Sequence, residues 1–161
     1  MSRQLRFDVI GAGAIGLHHM EGIRSCPRAK LVAIAESSPE RREQAAKRFG
    51  VADTFENYKK LIARTDLDAV SIALPNYLHA RVAIEALRAG KHVHLDKPMA
   101  FNVAEAKQVI AAAKKAKRVF MVGQNMRFSR DAQMLKVLVD QGELGEVYHA
   151  KAWWIRRSGI P

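Results

Sequence analysis

The chain has 161 residues, 48% hydrophobic and 27% charged, a globular composition that can bury one sizeable core and that excludes a disordered or collagen-like chain. No apolar run approaches the roughly 20 residues of a membrane crossing, and the run after the basic start breaks at glycine too early for a secretion signal. The formal charge is +11, unevenly spread: +3 over residues 1–80 and +8 over 81–161.

Taken in order, Leu5–Ile10 is an apolar run that ends in glycine, and Ala14–Ser25 has helical character until Cys26-Pro27 stops it. Lys30–Ala35 reads as a short buried strand. Ser38-Pro39 starts a helix that runs to Phe49, with proline at its first position and Gly50 as the stop. Tyr58–Arg64 is a shorter helical piece, and Asp68–Leu74 the next strand. Pro75-Asn76 makes a turn in which Asn76 can cap the following helix. Leu78, Val82, Ala83, Ala86 and Leu87 form one face of that helix, which ends at Gly90. His92–Leu95 is a strand running into Asp96-Lys97-Pro98. Asn102 caps a helix through Lys117, and Arg118–Val122 is a strand stopped by Gly123.

Strands without strict polar alternation, separated by helices, predict a doubly wound α/β domain with a parallel sheet covered on both faces. Its boundary is expected at residue 123. Beyond it a helix spans about Asp131–Asp140, and Glu146–Ile155 reads as one long strand carrying Trp153 and Trp154. Such a strand needs partners, so residues 124–161 are expected to begin a second domain. The basic cluster Lys114, Lys115, Lys117 and Arg118 falls where a helix ends, where cations suit the carbonyl end of the dipole. No specific nucleic-acid partner is therefore inferred, and no membrane. Cys26 is the only cysteine, which permits no internal disulfide and fits the cytoplasm.

Gly11-Ala12-Gly13-Ala14-Ile15-Gly16 matches G-x-G-x-x-G between a strand and a helix. Gly11 permits the tight turn, Gly13 lets the backbone approach a pyrophosphate, and Gly16 lets helix and strand pack closely. The helix start offers N–H groups and a positive dipole end to that phosphate. Twenty residues past Gly16, at the tip of the second strand, Glu36 can accept the adenosine ribose hydroxyls and repel a 2′-phosphate. NAD is thus the expected cofactor; Ser37, Arg41 and Arg42 keep NADP open. Lys97 sits at a strand's carboxyl end, where open α/β sheets bind ligands. An ammonium there can stabilise charge on a substrate oxygen or, with a depressed pKa, exchange its proton. Pro98 stiffens the turn, in either isomer. Asn76 and His79 fall three apart on one face of a helical turn; alone, His79 reads as a structural histidine. The remaining histidines lack companions at metal-ligand spacing, so no metal is expected.

In this order, GAGAIG, Glu36, Leu74-Pro75-Asn76-Tyr77-Leu78-His79, Asp96-Lys97-Pro98 and Gln124-Asn125-Met126-Arg127-Phe128 resemble the glucose–fructose oxidoreductase, inositol dehydrogenase and rhizopine-catabolism family, and RRSGIP resembles its entry into a second domain. The resemblance covers the whole chain. It implies a Rossmann domain, followed by a second α/β domain on an open antiparallel sheet that forms the oligomer interface. It also implies nicotinamide-dependent oxidation or reduction of sugars, polyols or their derivatives. Gly11, Gly13, Ala14, Ile15 and Gly16 would hold the pyrophosphate and Glu36 the ribose. Leu74, Pro75, Asn76 and His79 would line the cleft, Asp96 would lie by the nicotinamide, and Lys97 would be catalytic. Asn125 and Arg127 would reach cofactor or substrate, and Trp154 would cover the cleft. The family pattern is Glu-Lys-Pro; here Asp96 has one methylene less, which shortens that contact. The family's second catalytic element, an Asp and a His of the C-terminal domain, has no counterpart in these residues, so this piece is expected to bind cofactor with little turnover. The alternative is a non-enzymatic dinucleotide-binding or interaction module, docking through the Trp153-Trp154 strand.

Overall fold

The computed structural model describes residues 3–153, Ile155 and Arg157. The chain divides into two units, Met1–Gly123 and Gln124–Pro161. The first holds six strands and five helices in alternation: β1 (Leu5–Ile10), α1 (Ala14–Ser25), β2 (Ala29–Ala35), α2 (Pro39–Phe49), β3 (Asp53–Phe55), α3 (Tyr58–Ile62), β4 (Ala69–Ile72), α4 (Asn76–Arg88), β5 (His92–Asp96), α5 (Val103–Ala116) and β6 (Phe120–Gly123). The strands pair in parallel in the order β3-β2-β1-β4-β5-β6. That order reverses direction between β1 and β4, which opens a crevice at their carboxyl ends.

Alternation along each strand sends side chains to opposite faces, and two cores result. Val9 and Ile34 join Met20 and Ala45 beneath α1 and α2. Ile10, Ala33, Ile72 and Leu95 join Leu61, Val82, Leu87 and Val109 beneath α3, α4 and α5. The expectation of cover on both faces needs one correction within this unit. On β5 the burial alternates, with Val93 and Leu95 buried and His92 and His94 only partly so, and on β6 Met121 is 44% exposed. HVHLD alternates by polarity, and that pattern marks a strand with a single apolar face.

Local chemistry sets most of the boundaries. The Ser38 hydroxyl accepts from the Arg41 N–H (3.3 Å) at the start of α2, and Gly50 closes it in the left-handed conformation at φ 66°. The Asn102 side chain accepts from the Glu105 N–H (2.9 Å) at the start of α5. Asn76 does not cap α4: Pro75 holds the cap position and no side chain bonds there. The fixed φ of proline already suits a helix entry, which puts Asn76 inside the first turn and exposed. β3 has three residues, too few to carry a period, so no local pattern announces it.

The second unit contains a 3₁₀ turn, Asn125–Phe128, and α6 (Arg130–Asp140), which the Ser129 hydroxyl caps by accepting from the Ala132 N–H. The long strand expected over 146–155 is not seen among its described residues: 146–153 carry no regular structure. A lone strand leaves its N–H and C=O groups with water as their only partner, and its apolar side chains gain nothing from extension. Among the described residues no helix is long and apolar enough to cross a membrane.

Candidate cofactor-binding site

The glycine turn leaves β1 through Gly11 at φ 98°, where an added Cβ would lie 2.2 Å from the Ala73 carbonyl oxygen. A Cβ on Gly16 would lie 1.9 Å from the Gly11 carbonyl oxygen. Both glycines are therefore demanded by backbone packed against backbone. Gly13 differs: nothing lies within 4 Å of its would-be Cβ. It is the cap residue of α1, whose start has neither a side-chain cap nor an acidic residue. The first-turn N–H groups and the positive dipole end thus face open space that only the missing side chain would fill. Ala14 and Ile15 are exposed on that turn. This arrangement suits a pyrophosphate.

Glu36 follows β2 and is 7% exposed, not the free loop carboxylate its position alone would suggest. Its Oε2 accepts from the Ala12 N–H (2.7 Å), so the acid fastens the glycine turn to the end of β2. Its Oε1 accepts from the Ser38 N–H (2.9 Å) and from Arg41 (2.9 Å). Burial pushes this carboxyl up, but the Ser38 and Ala12 N–H groups and the Arg41 guanidinium together outweigh it, and its pKa is lowered overall. Arg42 donates to the Glu36 carbonyl (2.6 Å). A hollow of about 340 Å³ opens beside Gly11, Glu36, Ser37, Asn57, Tyr58 and Leu74, at the carboxyl edge of β1 and β2. One wall is apolar, with the acid at its rim, as an adenosine requires.

Across the crevice, Ile10 pairs with Ile72 and Ile72 with Leu95. Gly11 and Asp96-Lys97 therefore leave the sheet on the same edge, two strand spacings, or roughly 10 Å, apart. Lys97 and Pro98 are exposed, Asp96 is half-buried, and the Lys97–Pro98 peptide is cis. Leu74 is half-buried and Pro75 exposed on the β4 turn between them. His79 is entirely buried. Its Nδ1 faces the Pro98 carbonyl at 2.6 Å and its Nε2 the Leu74 carbonyl at 2.7 Å, so it joins the two turns from behind instead of presenting a surface.

Asn125 and Arg127 lie exposed on the 3₁₀ turn of the second unit, and Trp154 lies outside the described residues. A hollow of about 460 Å³ with mainly apolar walls opens on the α1 face. There the Ser71 hydroxyl bonds the Nδ1 of both His19 and His94 at 2.9 Å. Burial lowers the pKa of both imidazoles, further so for His19 beside His94. The serine between these histidines comes from another strand, so no local spacing could have joined them. The cluster shares no residue with the crevice.

Known proteins with this sequence pattern bear on what the crevice holds. The chain is 32% identical to a myo-inositol 2-dehydrogenase of Thermotoga maritima, over 88% of this chain and 42% of that protein. It is 32% identical to a D-glucoside 3-dehydrogenase of Escherichia coli, over 99% and 46%. It thus spans half or less of the length of the curated relatives it matches. Among solved structures, a scyllo-inositol dehydrogenase from Lactobacillus casei with bound NAD(H) and scyllo-inositol superposes with a TM-score of 0.85 at 29% identity, covering 89% of this chain and 43% of that one. Residues 5–124 match the family described as an oxidoreductase family with an NAD-binding Rossmann fold (Gfo/Idh/MocA), and the chain belongs to that family.

Proposed function

We propose that the whole protein is an NAD-dependent oxidoreductase moving a hydride between nicotinamide and a carbinol carbon of a sugar, polyol or related substrate. Residues 1–123 serve as its dinucleotide domain. The observation that carries this reading is the uncapped start of α1 above the open Gly13, with Glu36 at one side and Lys97 on the same sheet edge. The T. maritima and E. coli relatives, both named for dehydrogenation of a polyol or a glycoside, point to the same substrate class.

Bound NAD supplies the nicotinamide carbon that accepts or returns the hydride. The N–H groups of the glycine turn and α1 hold the pyrophosphate. Glu36 faces the ribose with a carboxylate, which disfavours a 2′-phosphate, although Arg41 beside it offsets part of that charge. Lys97 donates a hydrogen bond to the substrate oxygen and carries the proton that alcohol–carbonyl interconversion requires. Asp96, Asn125, Arg127 and Trp154 complete the nicotinamide and substrate side in this reading. Residues 124–161 begin a second, substrate-binding and oligomer-forming domain. The half-buried thiol of Cys26 accords with a cytoplasmic protein.

Titration of this chain with NADH at low salt, followed by nicotinamide fluorescence, tests the proposal. Saturable binding, tighter for NADH than for NADPH, is expected. Linear, unsaturable signal with both would overturn it.

A further inference from the structure

Both ring nitrogens of His79 lie within hydrogen-bond distance of a backbone carbonyl, Nδ1 at 2.6 Å from that of Pro98 and Nε2 at 2.7 Å from that of Leu74, and an imidazole N–H donates to such an oxygen. The ring is wholly buried and lies in the first turn of α4, packed between a residue that walls the 340 Å³ hollow, Leu74, and the residue after Lys97. No other side-chain hydrogen bond among the described residues joins these two turns. Neither carbonyl belongs to a strand pairing, because β4 ends at Ile72 and β5 at Asp96. The ladder sets where the two turns leave the sheet; beyond its last pairs, His79 is the side chain that hydrogen-bonds one turn to the other.

We propose that His79 is a positioning residue that fixes the span between the adenosine half of the cleft and Lys97. It does so by bolting the Leu74 turn to the Pro98 turn. The proposal takes its ligand from the cofactor reading above, while the bolt itself rests on the two hydrogen bonds. A molecule that crosses both halves should feel the loss of the bolt. One that lacks the nicotinamide should feel it much less, because most of its pocket is built by the glycine turn, the end of β2 and Glu36, with only Leu74 and Leu78 from the β4 turn and α4.

The test compares NADH with ADP-ribose on the chain and on two variants. His79→Phe fills the volume without an N–H, and His79→Gln keeps an amide donor. Loss of hydrogen bonds of this kind corresponds to about a fivefold or greater change in affinity. His79→Phe is expected to weaken NADH by about that factor and leave ADP-ribose within about twofold, with His79→Gln recovering part of the loss. Amide hydrogen exchange gives a readout that needs no ligand. In His79→Phe the amides flanking Leu74 and Pro98 should exchange faster together, while those of β4 and β5 stay protected. Should His79→Phe fail to fold, His79→Gln carries both arms, with a smaller NADH deficit and faster exchange confined to the two turns. NADH affinity unchanged, NADH and ADP-ribose weakened in step, or exchange unchanged at both turns would each overturn the bolt. If the unmutated chain binds neither ligand, the cofactor reading falls, and the exchange arm still decides whether the ring ties the turns.

Discussion

The two edges of the sheet are built from similar residues and use them in opposite ways. At the amino edge charges are spent on one another. Arg3 pairs with Asp68, Arg6 with Asp66 (2.6 Å), and Arg64 with both Asp53 (2.5 Å) and Asp66 (2.9 Å). Lys91, just before β5, is 5% exposed, and its ammonium donates to the carbonyls of Arg64 and Leu67. At the carboxyl edge Lys97, just after the same strand, is exposed, and the start of α1 is left without a cap. The contrast teaches where to look for function: one lysine is satisfied by the fold, and the other is left to solvent at the edge where the proposed cofactor would sit.

The largest expected break in this contrast comes from the glycine turn. Gly11→Ala or Gly16→Ala puts a methyl group inside van der Waals contact of backbone that cannot retreat, at a cost of about 3 kcal/mol or more. Gly13→Ala meets nothing and should change stability by less than about 1 kcal/mol while weakening NADH about tenfold or more. Thermal melts paired with NADH titrations separate the two classes; equal losses of stability would remove the distinction between structural and ligand-facing glycines.

Next comes Asp8, the exception to the pairing at the amino side. It lies in the middle of β1, fully buried, with neither carboxyl oxygen finding a hydrogen-bond partner among the described residues. Burial pushes its pKa to about 8; the Arg64 charge pulls it down, Asp66 pushes it up, and the Ala33 N–H helps slightly from outside hydrogen-bond geometry. The native chain therefore keeps a proton that the unfolded chain releases near pH 4, so this contribution is complete below pH 4 and is lost as pH rises towards 8. Asp8→Val should raise stability at pH 8 by about 2 kcal/mol or more and flatten the slope between pH 4 and 8. Denaturant titrations at several pH values measure both; an unchanged slope would place the carboxyl elsewhere.

The smallest effect sharpens the comparison of the two lysines. Lys91→Met removes a donor from two carbonyls and should cost about 1–2 kcal/mol. Lys97→Met, at an exposed position, should stay within about 0.5 kcal/mol, yet in the whole protein it should lower turnover by about 10²-fold or more. Similar stability losses for both would contradict the assignment of one to the fold and the other to chemistry.

Much of this was legible in the chain. The strand Leu5–Ile10, helix Ala14–Ser25, the Ser38 and Asn102 caps, and the end of β6 at Gly123 follow from apolar period and from side chains that bond their own neighbours, which are local properties. The glycine turn was legible for the same reason, since its spacing is a local geometric demand. Tertiary structure decided the rest. Whether Glu36 dangles or fastens a turn depends on Ala12, 24 residues away. The tie between His79 and Pro98 spans 19 residues. Residues 146–153 of the expected strand carry no regular structure, because a strand depends on partners that no local pattern can supply. Sequence determines what each short segment can become through bonds it makes to itself; only the assembled sheet determines which distant groups meet, and so which charges are left for a ligand.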